Sequence, residues 1–212
     1  MRKSIFATLC LALALVTTAV PASAASINFN IVVNTAPLMA IPGAGPFYLD
    51  FQLIGAGPNS VFINAFDLGG GAPVGAPTLI GGAGGSLASG VTLNDSGSFL
   101  NEFFQAFTPG TSLRFSVTTT TNLTPTPDAF SFSILDGTLC NIPTNGLGDS
   151  LVFLTLGPNN TLRDIQTAHG LSLPGGPAYA NVGAQVVPEP ATLALLATGL
   201  AAAVRRRATA RR

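Results

Sequence analysis

Residues 47–53 read Phe47-Tyr48-Leu49-Asp50-Phe51-Gln52-Leu53, and their period of two decides the fold. Phe47, Leu49, Phe51 and Leu53 fall on one face of an extended chain, with Tyr48, Asp50 and Gln52 on the other; a helix would scatter the same apolar residues around its circumference. The stretch predicts a half-buried strand. Turn-forming residues bound it on both sides, Pro42-Gly43-Ala44-Gly45-Pro46 before and Gly55-Ala56-Gly57-Pro58-Asn59 after.

The same period recurs outward from this strand. Ile27, Phe29, Ile31 and Val33 alternate with Asn28 and Asn30; Leu113, Phe115 and Val117 alternate with Arg114, Ser116 and Thr118; Phe130, Phe132 and Ile134 alternate with Ser131 and Ser133. Residues 60–68 are expected to pair back on 47–53 as a meander, and 86–93 to resume the sheet. Leu151-Val152-Phe153-Leu154-Thr155-Leu156 is apolar on both sides, which predicts a central strand covered on both faces. Lesser strands are expected near 161–167 and 179–186. Residues 69–90, with nine glycines, predict a long flexible excursion extended only at 77–80. In 99–107, Leu100, Phe103, Phe104 and Phe107 share a helical face, which predicts a short helical turn leading into an extended segment. About nine short strands with Gly and Pro between them specify an all-β fold, a single antiparallel β-sandwich of jelly-roll or Greek-key type.

The two ends of the chain are built differently. Arg2 and Lys3 precede an apolar stretch from Ile5 to Val20, and Ala22-Ser23-Ala24 has the small-x-small pattern of a signal peptidase site. Residues 1–24 therefore read as an N-terminal signal peptide cut by signal peptidase after Ala24, with Cys10 inside the discarded segment. The other end reads Pro188-Glu189-Pro190, an uncharged run from Ala191 to Val204, then Arg205-Arg206-Arg207 with Arg211 and Arg212 behind. The prolines hold the first part extended and start a hydrophobic helix over 191–204. Its 14 residues span only about 21 Å as a helix, against a hydrocarbon core of roughly 30 Å, so it enters a membrane but anchors it poorly. The arginines hold that end on the cytoplasmic side. Both ends then face the cytoplasm during export, with residues 25–187 between them outside the inner membrane.

In that order, a proline-flanked motif, a marginal helix and a terminal arginine cluster, residues 188–212 resemble the PEP-CTERM sorting signal of bacteria that export extracellular polysaccharide. The resemblance implies a transient membrane anchor and processing near Pro188, Glu189 and Pro190 by an exosortase, a membrane cysteine protease-like transpeptidase, with Arg205, Arg206 and Arg207 as the cytoplasmic retention tail. It implies delivery to the cell surface or exterior. The combination of 48–53, Phe103-Phe104-Gln105-Ala106-Phe107-Thr108 and Phe130-Ser131-Phe132 also resembles a family of PEP-CTERM proteins whose all-β exported domain has no assigned activity.

The exported segment, 25–187, forms one domain. Its cations are Arg114 and Arg163; its anions are Asp50, Asp67, Asp95, Glu102, Asp128, Asp136, Asp149 and Asp164, so two minus eight gives a formal charge of −6. Without a lysine it cannot build the basic patch that nucleic acid needs. Cys140 is its only thiol, which excludes an internal disulfide, and its place in Ile134-Leu135-Asp136-Gly137-Thr138-Leu139-Cys140 predicts burial in a core hairpin. Chemistry is sparse. His169 is the one histidine, no Gly-x-Ser-x-Gly elbow occurs, and a Cys140/His169 nucleophilic pair is weighed against a core cysteine. The acids stand singly, no Asp-x-Asp loop or zinc spacing is present, and a site from Asp67, Asp95, Asp128 or Asp149 could form only across loop tips. Thr118 to Thr126 reads as a strand end running into a proline turn, or as an acceptor for O-linked sugar.

The expectation is a non-enzymatic protein without metal or cofactor, structural or interacting with exopolysaccharide in a biofilm. The alternative is a carbohydrate-binding module, which would use Tyr48 and Tyr179 because the chain has no Trp. Sheet edges without lysine also raise self-association.

Overall fold

The computed structural model describes residues 26–40, 45–120, 128–145, 147–156, 162–167 and 182–187. Among them are twelve strands: β1 (Ser26–Asn34), β2 (Phe47–Ile54), β3 (Ser60–Asp67), β4 (Ala72–Ile80), β5 (Gly84–Ser86), β6 (Gly90–Asn94), β7 (Leu100–Thr108), β8 (Ser112–Thr120), β9 (Asp128–Leu135), β10 (Val152–Leu156), β11 (Leu162–Thr167) and β12 (Val182–Val187). They form two six-stranded antiparallel sheets, one in the order β12-β1-β8-β3-β6-β5 and the other β11-β10-β9-β2-β7-β4. Pairs β1–β8, β2–β7 and β3–β6 alternate between the sheets. That is an antiparallel ribbon wound around a barrel-like core, the jelly-roll arrangement.

The core lies between the two inner faces. Strand β2 sits at the middle of its sheet, and Phe51 is paired directly with Phe103 of β7 and with Phe132 of β9. From the facing sheet Phe66 and Phe115 meet the same ring edge-on, at 5.9 and 5.3 Å between centroids, while Phe132 stacks on it at 4.8 Å. Edge-to-face and offset contacts of this kind add to the hydrophobic gain of burying the rings. Leu38, from the 3₁₀ turn Ala36–Ala40, is buried with this core.

Several expectations are corrected. Strands β2 and β3 do not form a meander, because residues 55–59 carry the chain from one sheet to the other. The glycine-rich stretch is not a flexible excursion: β4 pairs with β7 on both sides of a bulge between Val74 and Thr78. Almost all its side chains are exposed, so no apolar alternation marks it, and pairing is driven by the open backbone groups of β7. Residues 100–108 are strand throughout, with no helical turn. Phe103 and Phe107 point in and Phe104 out, alongside inward Asn101 and Gln105, whose amides bond Leu53, Ser98 and Gly75 carbonyls. These buried amides broke the apolar pattern. Strand β10 has one face in the core while Phe153 and Thr155 are half-exposed on the other, so it is not covered on both faces.

Cys140 is exposed, not buried. The Asp136 carboxylate accepts from the Thr138 amide and hydroxyl at 2.8 and 2.7 Å and from the Cys140 amide at 3.1 Å, which closes the turn on itself and projects its tip outward. The edge strand β4 has no lysine, yet Pro73, Pro77 and the bulge remove donors and regularity from it, and β5 is three residues long. Of the four edge strands β12, β5, β11 and β4, β4 and β5 are thus poor templates for another strand. The signal peptide, the helix over 191–204, Thr121 to Thr126, His169 and Tyr179 lie outside the described residues.

Phe51→Ala should cost about 3–5 kcal/mol of unfolding free energy. Phe104→Ala, on the half-exposed outer face, should cost about 1 kcal/mol. Urea denaturation of the two variants measures the difference.

Candidate functional site

The residues expected to direct processing, Ala22, Ala24, Pro188, Glu189, Pro190, Arg205, Arg206 and Arg207, lie outside the described residues, but the strands that lead to them do not. Strand β1 opens at Ser26, two residues after Ala24, and β12 closes at Val187, immediately before Pro188. The two are antiparallel neighbours, with Asn28 opposite Val187. Paired strands lie about 5 Å apart. The chain therefore enters and leaves the sandwich at one end of one sheet, beside the same edge.

A second constellation holds the corner where the chain crosses between the sheets. Gly55 donates to the Phe99 carbonyl at 3.0 Å, and Asn59, at the far end of the crossing, ties two acids together. Its backbone N–H bonds Asp95 Oδ1 at 2.8 Å and its side-chain amide bonds Asp128 Oδ2 at 2.5 Å. All three residues are buried: Asn59 and Asp128 at 0 %, Asp95 at 2 %. The Asp128 carboxyl lies over Gly55, where a Cβ would collide with it. Burial first, and the adjoining Asp128 second, push the Asp95 carboxyl up to about 6. Sequence reading treated these acids as single; the structure brings Asp95 and Asp128 together, from the ends of β6 and β9, but not Asp67, which bonds the Gly69 amide, or Asp149, which bonds the Thr144 amide. Asn59 was missed. Its only signal was a Gly-Pro-Asn bend between two strands.

A third group lies on the outer face of the other sheet. Gln52 of β2 donates to Asp50 Oδ2 at 2.9 Å and to Glu102 Oε1 of β7 at 3.4 Å. Asp50 is 6 % exposed, and burial, then the charge of Glu102, push its carboxyl up to about 8. Beside it, Tyr48 stacks on Phe104 with ring centroids 4.7 Å apart and planes 8° from parallel, both half-buried. Asp50 and Glu102 touch through hydrogen bonding. Carboxylates that act on a glycosidic bond stand about 5–9 Å apart with substrate or water between them, a different arrangement.

Among the described residues no helix is long and apolar enough to cross a membrane, and no three His, Cys, Asp or Glu side chains gather as a metal set. Residues 186–208 match the PEP-CTERM protein-sorting motif. The chain therefore carries the C-terminal signal of an exported protein processed by an exosortase. No curated protein and no solved structure matches it.

Asp50 gives the domain a pH dependence. Its folded value of about 8 lies above the ordinary 3.8, so between those values the folded state holds a proton that the unfolded chain has lost. Stability is then greatest at the acid end and falls as pH rises through this window, by up to about 1.4 kcal/mol per unit, levelling off above pH 8. Asp50→Asn should flatten that slope and be the more stable protein at pH 8, as measured by denaturation at a series of pH values.

Proposed function

We propose that this chain is an exosortase-processed surface or matrix protein with a non-enzymatic, structural or interacting role in the exopolysaccharide of a biofilm. The observation that carries the proposal is the sorting motif at 186–208 combined with the pairing of β1 and β12. A domain whose two ends leave side by side can complete its fold while the signal peptide and the sorting helix are both held in one membrane. Signal peptidase then frees residue 25, and the exosortase acts at the Pro-Glu-Pro motif, which follows β12 directly along the chain.

The composition of the exported face supports a matrix role. Its ten charges over 25–187 are few, and Asp50, Asp95 and Asp128 are buried, which leaves a surface dominated by hydroxyl and amide groups. Such groups hydrogen-bond to sugar hydroxyls and water without ionic attraction. The non-enzymatic reading rests on the scarcity of nucleophile and base partners in the sequence.

A carbohydrate-binding role is the second reading. It draws on the Tyr48–Phe104 stack beside Gln52 and Glu102, an aromatic body flanked by polar groups on the broad face of a sheet.

Intact-mass measurement of protein recovered outside the native cells should show loss of the Arg-rich tail near Pro188 to Pro190, and retention of the tail through Arg212 in a strain lacking the exosortase. An unchanged tail in both strains would sink the proposal. For the second reading, affinity electrophoresis in gels containing the cell's own exopolysaccharide should retard the protein, and Tyr48→Ala should abolish the retardation; migration unaffected by the polysaccharide removes that reading.

A further inference from the structure

The outer face of the sheet β12-β1-β8-β3-β6-β5 is an array of amides and hydroxyls. Asn28 of β1, Thr118 of β8, Phe62 of β3 and Thr92 of β6 stand side by side in register, one row across four strands. The next row along the strands holds Asn30, Ser116 and Asn64. Phe29, Val117 and Ile63, which lie between the two rows, are buried, so the row members point away from the core. Thr118 Oγ1 donates to Asn28 Oδ1 at 2.6 Å and Ser116 Oγ to Asn30 Oδ1 at 2.8 Å. Each bond fixes an asparagine through its oxygen and keeps the Nδ2 donors available. Phe62 is the aromatic member of the array. A Cβ on Gly90, whose φ is +95°, would come within 2.7 Å of the Phe62 ring atoms Cε2 and Cζ, so the ring leans onto the β6 backbone. It is still 39 % exposed. Charge enters this face, among the described residues, only in the row Val32, Arg114 and Asp67, where the two ions stand opposite each other in register and cancel.

We propose that this face binds an extended, uncharged polysaccharide, with one sugar ring against Phe62 and its neighbours hydrogen-bonded along the two rows. The inference rests on the exopolysaccharide role proposed above, and adds the surface and the class of glycan. A pyranose carries C–H groups on its flat sides and hydroxyls around its rim. The flat side packs on an aromatic ring, while the rim exchanges hydrogen bonds with amides and hydroxyls on either side of it. Charge selects among glycans: Arg114 is offset by Asp67, and the exported segment carries a formal −6, so an anionic polymer meets no free cation here and is repelled by the whole domain. The first row crosses three inter-strand gaps of about 5 Å, roughly 14 Å in all, which is longer than one sugar and suits several residues of a chain. Many weak contacts along one polymer then add up. A protein partner would require an apolar centre to its interface, and Phe62 and Val32 are the only exposed large apolar side chains among the described residues of this face.

The test uses the cell's own exopolysaccharide, separated by anion exchange into a neutral and an anionic fraction, each immobilised and titrated with the full chain in mild detergent. The neutral fraction should bind the chain and the anionic fraction should not. Phe62→Leu keeps an apolar cover on Gly90 but removes the aromatic surface, and should weaken binding roughly three- to tenfold. Asn30→Asp keeps the acceptor for Ser116 Oγ and removes the amide donor, so it should weaken binding even with the ring intact. Unchanged affinity in either variant, or equal binding to the anionic fraction, would overturn the proposal. Binding that Tyr48→Ala alone abolishes would place the glycan on the opposite sheet, ending this inference while carbohydrate binding stands. A chain that binds neither fraction removes both.

Discussion

The packing of Phe51 against rings from both sheets is the constraint on which the rest of the structure depends. The exported domain has one thiol and few charges, so neither a disulfide nor an ion-pair network can hold the sheets together. Burial of apolar surface must do so. Phe51 lies on the middle strand of its sheet, flanked in register by Phe103 and Phe132, and meets Phe66 and Phe115 across the interface. Once β2 is fixed by these contacts, β7 and β9 are fixed beside it and β3 and β8 above it. The remaining strands add to the outer edges of a sandwich already specified at its centre.

Polar groups in this molecule take the places that an aromatic core leaves over. Asn101 and Gln105 point inward from β7 and bind backbone carbonyls of neighbouring segments, so each fixes a connection that apolar packing alone would leave free. Asn59 does the same for the crossing between the sheets, at the expense of bringing two carboxyls together. On the outer face, Asp50 is held against Glu102 by Gln52 and keeps its proton near neutrality because burial disfavours its charge. The two carboxyl pairs differ in setting. One is locked at a corner, and the other lies on a sheet face beside a stacked tyrosine.

The sorting signal and the fold meet at β12. An edge strand that ends at Val187, immediately before Pro188, places the start of the matched motif at the sheet margin. Its neighbour β1 begins at Ser26. The final strand thus ties the last part of the domain to be exported onto the first.

The sequence by itself determined the fold class, the strands whose inner faces build the core, and the sorting motif. Phe47-Leu49-Phe51-Leu53, Phe29-Ile31-Val33 and Phe130-Phe132-Ile134 carry a period that only a sheet can bury on one side, and the Pro-Glu-Pro, apolar and arginine blocks of the tail act as linear features that no fold need assemble. Tertiary structure alone decided the rest. Strand β4 has exposed side chains, so its position is set by the backbone groups of β7 and leaves no apolar period to read. Cys140 stands in an apolar run, yet Asp136 closes the turn so that the thiol faces outward. Asp95 and Asp128 are 33 residues apart, and Asn59 is further from both; their meeting depends on which sheet each strand joins. Local sequence encodes the faces of strands, whereas the choice of partner strand rests on contacts between segments distant along the chain, and it is that choice which assembles acids into pairs.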